Sequence, residues 1–150
     1  MGVIVNKPSP DLSFSALLDH LNIARAPAGR DIRVHFGGPV ERGRGFVLHS
    51  RDSAPGAGSM VVPGGLAMTA TQDILADLAQ GGGPSQALLA LGYAGWGPGQ
   101  LEGEIARNDW LTAAAPPGLI FAAEDGAKWG LALRSMGIDP LSLSAVSGRA

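Results

Sequence analysis

The segment that most constrains this chain is ALGYAGWGPGQLEGEIARNDWL, Ala90 to Leu111. An apolar, strand-like stretch turns through Gly92, Gly95, Gly97 and Gly99 into a helical one. Pro98 suits the first turn of that helix, where its missing N–H costs nothing. Such a junction needs a sheet for its first half and a packing surface for its second. The chain's 23 glycines are scattered, without the period of a fibrous repeat. Many tight corners between short elements follow, which suits an α+β fold better than a helical bundle.

Hydrophobic periodicity places the other elements. Gly2 to Val5 reads as a short buried strand, and Asn6-Lys7-Pro8 as a turn, since proline biases the residue before it away from helix. Phe14, Leu17, Leu18 and Leu21 lie at helical spacing behind Ser13, a suitable cap. Asp31 to Ser50 reads as a hairpin: IRVHFGGPV runs out to Val40, ERGRG turns, and FVLHS returns. Residues 51–58 read as an exposed loop. Ser59–Val62 and Leu66–Thr69 read as strands about the Pro63-Gly64-Gly65 corner. Thr71 to Gln80 is a helix with Ile74, Leu75 and Leu78 inward, stopped by three glycines. Ser85 to Trp96 has no decisive period, and strand is preferred because Gly92, Tyr93, Gly95 and Trp96 fit a helix poorly. A helix follows from Pro98 to about Arg107. Asp109–Ala113 and Leu119–Ala122 read as short extended pieces. Gly126 to Met136 is a last helix with Trp129, Ala132, Leu133 and Met136 on its core face, capped by Gly137. No repeat or linker divides the 150 residues, so a single domain with a sizeable core is expected.

Apolar residues make up 45% of the chain, enough for burial to drive folding. Cysteine is absent, which excludes disulfides, thiolate metal sites and cysteine nucleophiles, and fits a cytoplasmic location. Met1 to Pro8 does not read as a secretory signal. The longest nearly apolar run, Ala87 to Gly97, falls well short of the ~20 residues that span a bilayer. The net charge is −2, but residues 25–51 hold six arginines against Asp31 and Glu41. If those arginines shared a face, they would form a basic patch on an acidic body. Ordinary solvated surface is the preferred reading, because no aromatic stacking platform accompanies them.

Catalytic and metal-binding patterns are wanting. There is no G-x-x-x-x-G-K-[ST] phosphate loop and no G-x-S-x-G elbow. The glycine corner offers backbone N–H groups, but Glu102 and Glu104 stand where a phosphate would need cations. His20, His35 and His49 lack metal-ligand spacing, and neighbouring His49 and Ser50 point to opposite faces of a strand. No cofactor and no metal are expected. The surface candidates are Arg42 and Arg44 in the basic stretch, His49 as the least unsuitable base, and Trp96, Gln100, Glu104 and Arg107 around the corner. Trp96 beside glycines suits a ligand platform, although a buried anchor is the simpler reading. Gln100, Glu104 and Arg107 share a helix face, read as solvated first and as a partner surface second. The helices at 71–80 and 98–107 carry four acids and one arginine, which argues against a DNA-reading helix.

Five segments together resemble the bacterial AlgH/YqgE family: MGVIVNKP (1–8), FGGPV (36–40), GFVLHS (45–50), ALGYAGWGPGQLEGEIARNDWL (90–111) and WGLALRSMGIDPLSLS (129–144). They occur in register along essentially the whole chain. The resemblance implies a single compact α+β domain over 1–150, with a bifurcated, barrel-like mixed or antiparallel sheet flanked by about four helices. It also implies a cytoplasmic protein of uncharacterised activity. The family carries a transcriptional-regulator label that rests on genetics rather than on a shown DNA contact. Members usually begin ahead of the GVIVNKP strand, so this chain is expected to lack an N-terminal strand. The resulting open edge would invite dimerisation and lower solubility relative to a longer relative. The function expected first is a regulatory or protein-interaction module without catalysis, acting through a protein partner or ligand rather than direct DNA contact. A small-ligand domain using residues 92–100 is the alternative, and an enzyme of unidentified class comes third.

Overall fold

The computed structural model describes residues 1–53, 56 and 58–143. Five strands form one mixed sheet in the order β1-β5-β2-β4-β3. They are β1 (Val34–Phe36), β2 (Val40–Ser50), β3 (Ser59–Val62), β4 (Leu66–Thr69) and β5 (Ala87–Tyr93). β1 pairs with β5 in parallel, and every other pairing is antiparallel. Four helices accompany them: α1 (Phe14–His20), α2 (Asp73–Ala79), α3 (Gln100–Ala106) and α4 (Asp125–Ser135). The α+β expectation holds.

Each face of the sheet carries its own core, because side chains alternate along the strands. On one face Val34, Val47 and Leu89 meet Phe14 and Leu18 of α1 and Ile74, Leu75 and Leu78 of α2. On the other, Phe46, Leu48, Leu66, Met68, Leu88 and Ala90 meet Ile120, with Val3 and Val5 packed alongside. β5 is an interior strand and feeds both cores: Leu89 goes to the first, Leu88 and Ala90 to the second. Ser13 caps α1 as its sequence suggests, its hydroxyl accepting from the Ala16 amide at 3.1 Å.

Three expectations are corrected. Residues 31–50 are not a hairpin: β5 lies between β1 and β2, and ERGRG is part of the single strand Val40–Ser50. The reversal falls earlier, at Gly37-Gly38-Pro39. A Cβ at Gly37 would lie 2.3 Å from the Gly92 carbonyl oxygen, and one at Gly38 would lie 2.1 Å from the Tyr93 carbonyl carbon. Glycine there lets the chain pass against β5, and ERGRG becomes a bulge between the pairs Val40–Tyr93 and Gly45–Leu91. Leu119–Ala122 is not extended but lies in a π-helical turn, Gly118–Ala122. Trp129 is not core: it is 54% exposed, whereas its neighbour Lys128 is 4% exposed. The N-terminal segment is extended but pairs only at points. Gly2 bridges Ala94 and Pro8 bridges His35, with the Ile4 amide donating to Gly37 between them. Residues 54, 55 and 57 of the expected 51–58 loop lie outside the described residues.

Candidate functional site

The glycine corner closes on itself. Glu104 of α3 accepts from the indole N–H of Trp96 at 3.1 Å and of Trp110 at 2.7 Å, and from the Gln100 amide at 2.9 Å. Gln100 in turn accepts from the Gly97 backbone amide at 3.0 Å. Trp96 and Trp110 meet edge to face, with centroids 5.8 Å apart. The Trp110 hydrogen bond, then that of Gln100, holds the Glu104 carboxyl below its ordinary range. Three of the corner's candidates thus bond to one another. Arg107 pairs with Asp109 at 3.2 Å instead of joining them.

The arginines of residues 25–51 do not share one face. Arg25 bonds the Gly29 carbonyl, and Arg30 bonds the carbonyls of Pro84 and Ser85. Arg33 enters a buried cluster described below. Arg42 stands 4.9 Å from the centre of the Phe36 ring, with Lys7 at 5.0 Å, and Arg44 stands 5.2 Å from that of Phe46. Arg44 also reaches Glu41 at 3.4 Å. Aromatic rings do accompany these cations, contrary to the sequence reading. They are covered by the cations rather than left free for a base.

His49 is buried and lies on β2, separated by β5 from His35 on β1. Its Nδ1 is 2.8 Å from the Ser50 carbonyl, which requires Nδ1–H, and its Nε2 lies 2.9 Å from the Thr69 hydroxyl. Thr69 also meets the Ser59 hydroxyl at 2.7 Å. This is a closed hydrogen-bond chain across β2, β4 and β3.

The concentrated charge lies elsewhere, beneath α4. Asp125 Oδ1 receives Lys128 Nζ at 2.7 Å, His35 Nε2 at 2.9 Å and Arg33 at 3.1 Å. Lys128 donates also to the Val5 carbonyl at 2.6 Å, tying α4 to the N-terminal segment. Arg33 donates to the carbonyls of Phe121 and Ala123 at the end of the π turn. His35 is fully buried, and its Nδ1 has no partner among the described residues. Burial pushes the Asp125 carboxyl upward, but the hydrogen bonds and charges of Lys128 and His35 outweigh it and hold it below the ordinary range. Burial pulls Lys128 below its ordinary value, with Arg33 adding to the pull and Asp125 opposing it.

Lys128 also lines an apolar cavity of about 450 Å³ between the N-terminal segment, β3, β4 and α4. Leu48, Leu66, Met68 and Ile120 form its inner walls, and the more exposed Met60 and Trp129 stand at its rim. Sequence reading missed this site. Two signals were present: Arg33 and His35 stand two apart, on one face of a strand, and Asp125 and Lys128 stand three apart on a helix. Each is common on protein surfaces, and only the packing of α4 across β1 unites them. Among the described residues no group of three or more metal-ligating side chains is found, and no helix is long and apolar enough to cross a membrane.

Comparison with known proteins gives a consistent family. A UPF0301 protein of Cereibacter sphaeroides is 63% identical over 150 residues, covering all of this chain and 82% of that protein. One from Rhodospirillum rubrum is 45% identical, covering all of this chain and 78% of its own length. The solution structure of the AlgH protein from Pseudomonas aeruginosa matches with a TM-score of 0.76 and 38% identity, over all of this chain and 79% of that one. The crystal structure of protein DIP2367 from Corynebacterium diphtheriae shares the fold at 22% identity, with a TM-score of 0.63 over 88% of this chain and 68% of that one. With residues 1–141 matched by the family described as AlgH-like, the chain belongs to that family of uncharacterised proteins.

Proposed function

We propose that this chain is a non-catalytic regulatory module of the cytoplasm that takes up a small apolar ligand and relays its presence to a protein partner. The observation that carries this reading is the cavity beside α4. Its volume of about 450 Å³ falls within the usual range for small-molecule sites, and its lining is mostly apolar, with few polar groups, chiefly Lys128. The corner at 92–100, the alternative from sequence, is set aside because Trp96, Gln100 and Glu104 are already bonded to one another. A route through a partner rather than direct DNA contact is favoured by the dispersal of the arginines over separate contacts.

The test uses 1-octanol as a neutral apolar probe. Trp129 lines the cavity, and Trp96 of the Glu104 cluster packs near Gly2, another lining residue, so occupancy is read as the fluorescence change lost in a Trp129→Phe variant. Saturable change in wild type, lost when Ala132→Phe fills the cavity, is the expected result. Equal response in both proteins, or none in wild type with an intact fold, would overturn the reading.

A further inference from the structure

We propose that Lys128 captures a neutral, apolar carbonyl compound, an aldehyde or ketone, as a protonated imine within the cavity. This rests on the ligand-binding reading above and names the ligand's chemistry.

Three observations lead there. First, Lys128 is 4% exposed yet borders an apolar cavity that Val5, which accepts from its Nζ, also lines, so the amine lies at the cavity wall in a desolvated setting. Lysines so placed, particularly beside another cation, are the ones that act as nucleophiles toward carbonyls. Arg33 supplies that second cation, sharing Asp125 with Lys128.

Second, charge selects against an anionic head group. Asp125 lies 2.7 Å from Nζ, and Glu124, the next residue along, adds a second carboxylate that acts on Lys128. With Lys128 and Arg33 already matched by these two carboxylates, a ligand carboxylate would leave an unmatched negative charge at a poorly solvated place. A carbonyl adds none.

Third, the counter-ion of the product is already in position. Two of the three ammonium protons leave with the carbonyl oxygen as water, and the third stays on nitrogen. The C=O bond is replaced by C=N, the positive charge is conserved, and no oxidant or reductant is needed. Only one N–H remains, and Asp125 accepts it, held in place by His35 at 2.9 Å and Arg33 at 3.1 Å. The hydrogen bond to the Val5 carbonyl is surrendered, so capture loosens the tie between α4 and the N-terminal segment. That is the change a partner would read.

The chain suits a direct test because it holds only two lysines, Lys7 and Lys128. The protein is incubated with octanal and reduced with cyanoborohydride, and the alkylated positions are mapped by peptide mass. Labelling at Lys128 should exceed that at the Phe36-stacked Lys7 by about tenfold. It should fall to the Lys7 level in Ala132→Phe, which leaves Lys128 and Asp125 in place, and when excess 1-octanol is present. Lys128→Arg, which keeps a cation beside Asp125, should lose the label at that position alone. Labelling confined to Lys7 or the α-amine, while 1-octanol still shifts Trp129 fluorescence, would overturn the carbonyl inference and leave the cavity reading standing. Failure of both octanal and 1-octanol would overturn both.

Discussion

Gly92 shows how much one hydrogen atom in place of a methyl group can decide. Its φ is +75°, and an added Cβ would lie 2.5 Å from the Gly38 carbonyl oxygen and 2.9 Å from that of Val40. The β2 bulge carrying Arg42 and Arg44 folds over this residue. Gly92→Ala should therefore destabilise by about 2–4 kcal/mol, combining left-handed strain with a backbone clash. A urea midpoint unchanged by the substitution would contradict that packing. Asp125 is the second residue on which much depends, since Oδ1 alone serves three donors. Asp125→Asn should cost about 3 kcal/mol at neutral pH by leaving the buried Lys128 without its counter-charge. Its pH dependence follows from the sign of the shift. The folded carboxyl lies below 3.8, so its contribution is complete above the unfolded value and is lost as pH falls through the folded one. The stability gap between wild type and variant should be present at neutral pH and shrink as pH falls below the ordinary carboxylate value of 3.8.

Among the elements, α4 separates sequence pattern from packing most clearly. Periodicity alone set Trp129 on the core face, yet Leu133 and Lys128 are the buried residues of that helix. Trp129→Ala should cost under ~1 kcal/mol, as for a surface residue, whereas Leu133→Ala should cost about 2–5 kcal/mol. Matched thermal unfolding of the two variants checks this, and the reverse order would return Trp129 to the core. The error has a physical source. A helix with small residues on several sides, as in DGAKWGLALRS, has no sharp apolar stripe, so tryptophan's bulk dominates the pattern. The residues 31–50 misled in a similar way. Two glycines among five residues is a usual hairpin turn, but the same glycines serve a bulge when a third strand supplies the partner. β3, β4, α1 and α2 were legible because each has a clear period and a local punctuation, such as Ser13 or Pro63-Gly64-Gly65. The buried site was not legible, since Arg33 and His35 lie about 90 residues from Asp125.

At the scale of the whole molecule, the sheet divides two cores and ends on an edge. β3 is the last strand of the order, and Met60 and Val61 are 48% and 62% exposed along it. Unpaired strand edges with apolar side chains are templates for association. Val61→Lys should reduce concentration-dependent self-association, read by light scattering, while moving the unfolding free energy by less than ~0.5 kcal/mol. Undiminished association would place the sticky surface elsewhere. The chain's own sequence determined its class, most of its short elements, its family and the want of any familiar catalytic pattern. Those properties are written locally, in periodicity, caps and turn residues. Tertiary structure alone decided that β5 enters between β1 and β2, that the glycine corner closes on Glu104, and that a lysine rather than a tryptophan is buried on α4. Such outcomes depend on which distant surfaces meet. A buried charge is tolerated only where a remote partner neutralises it, and no local pattern records that partner.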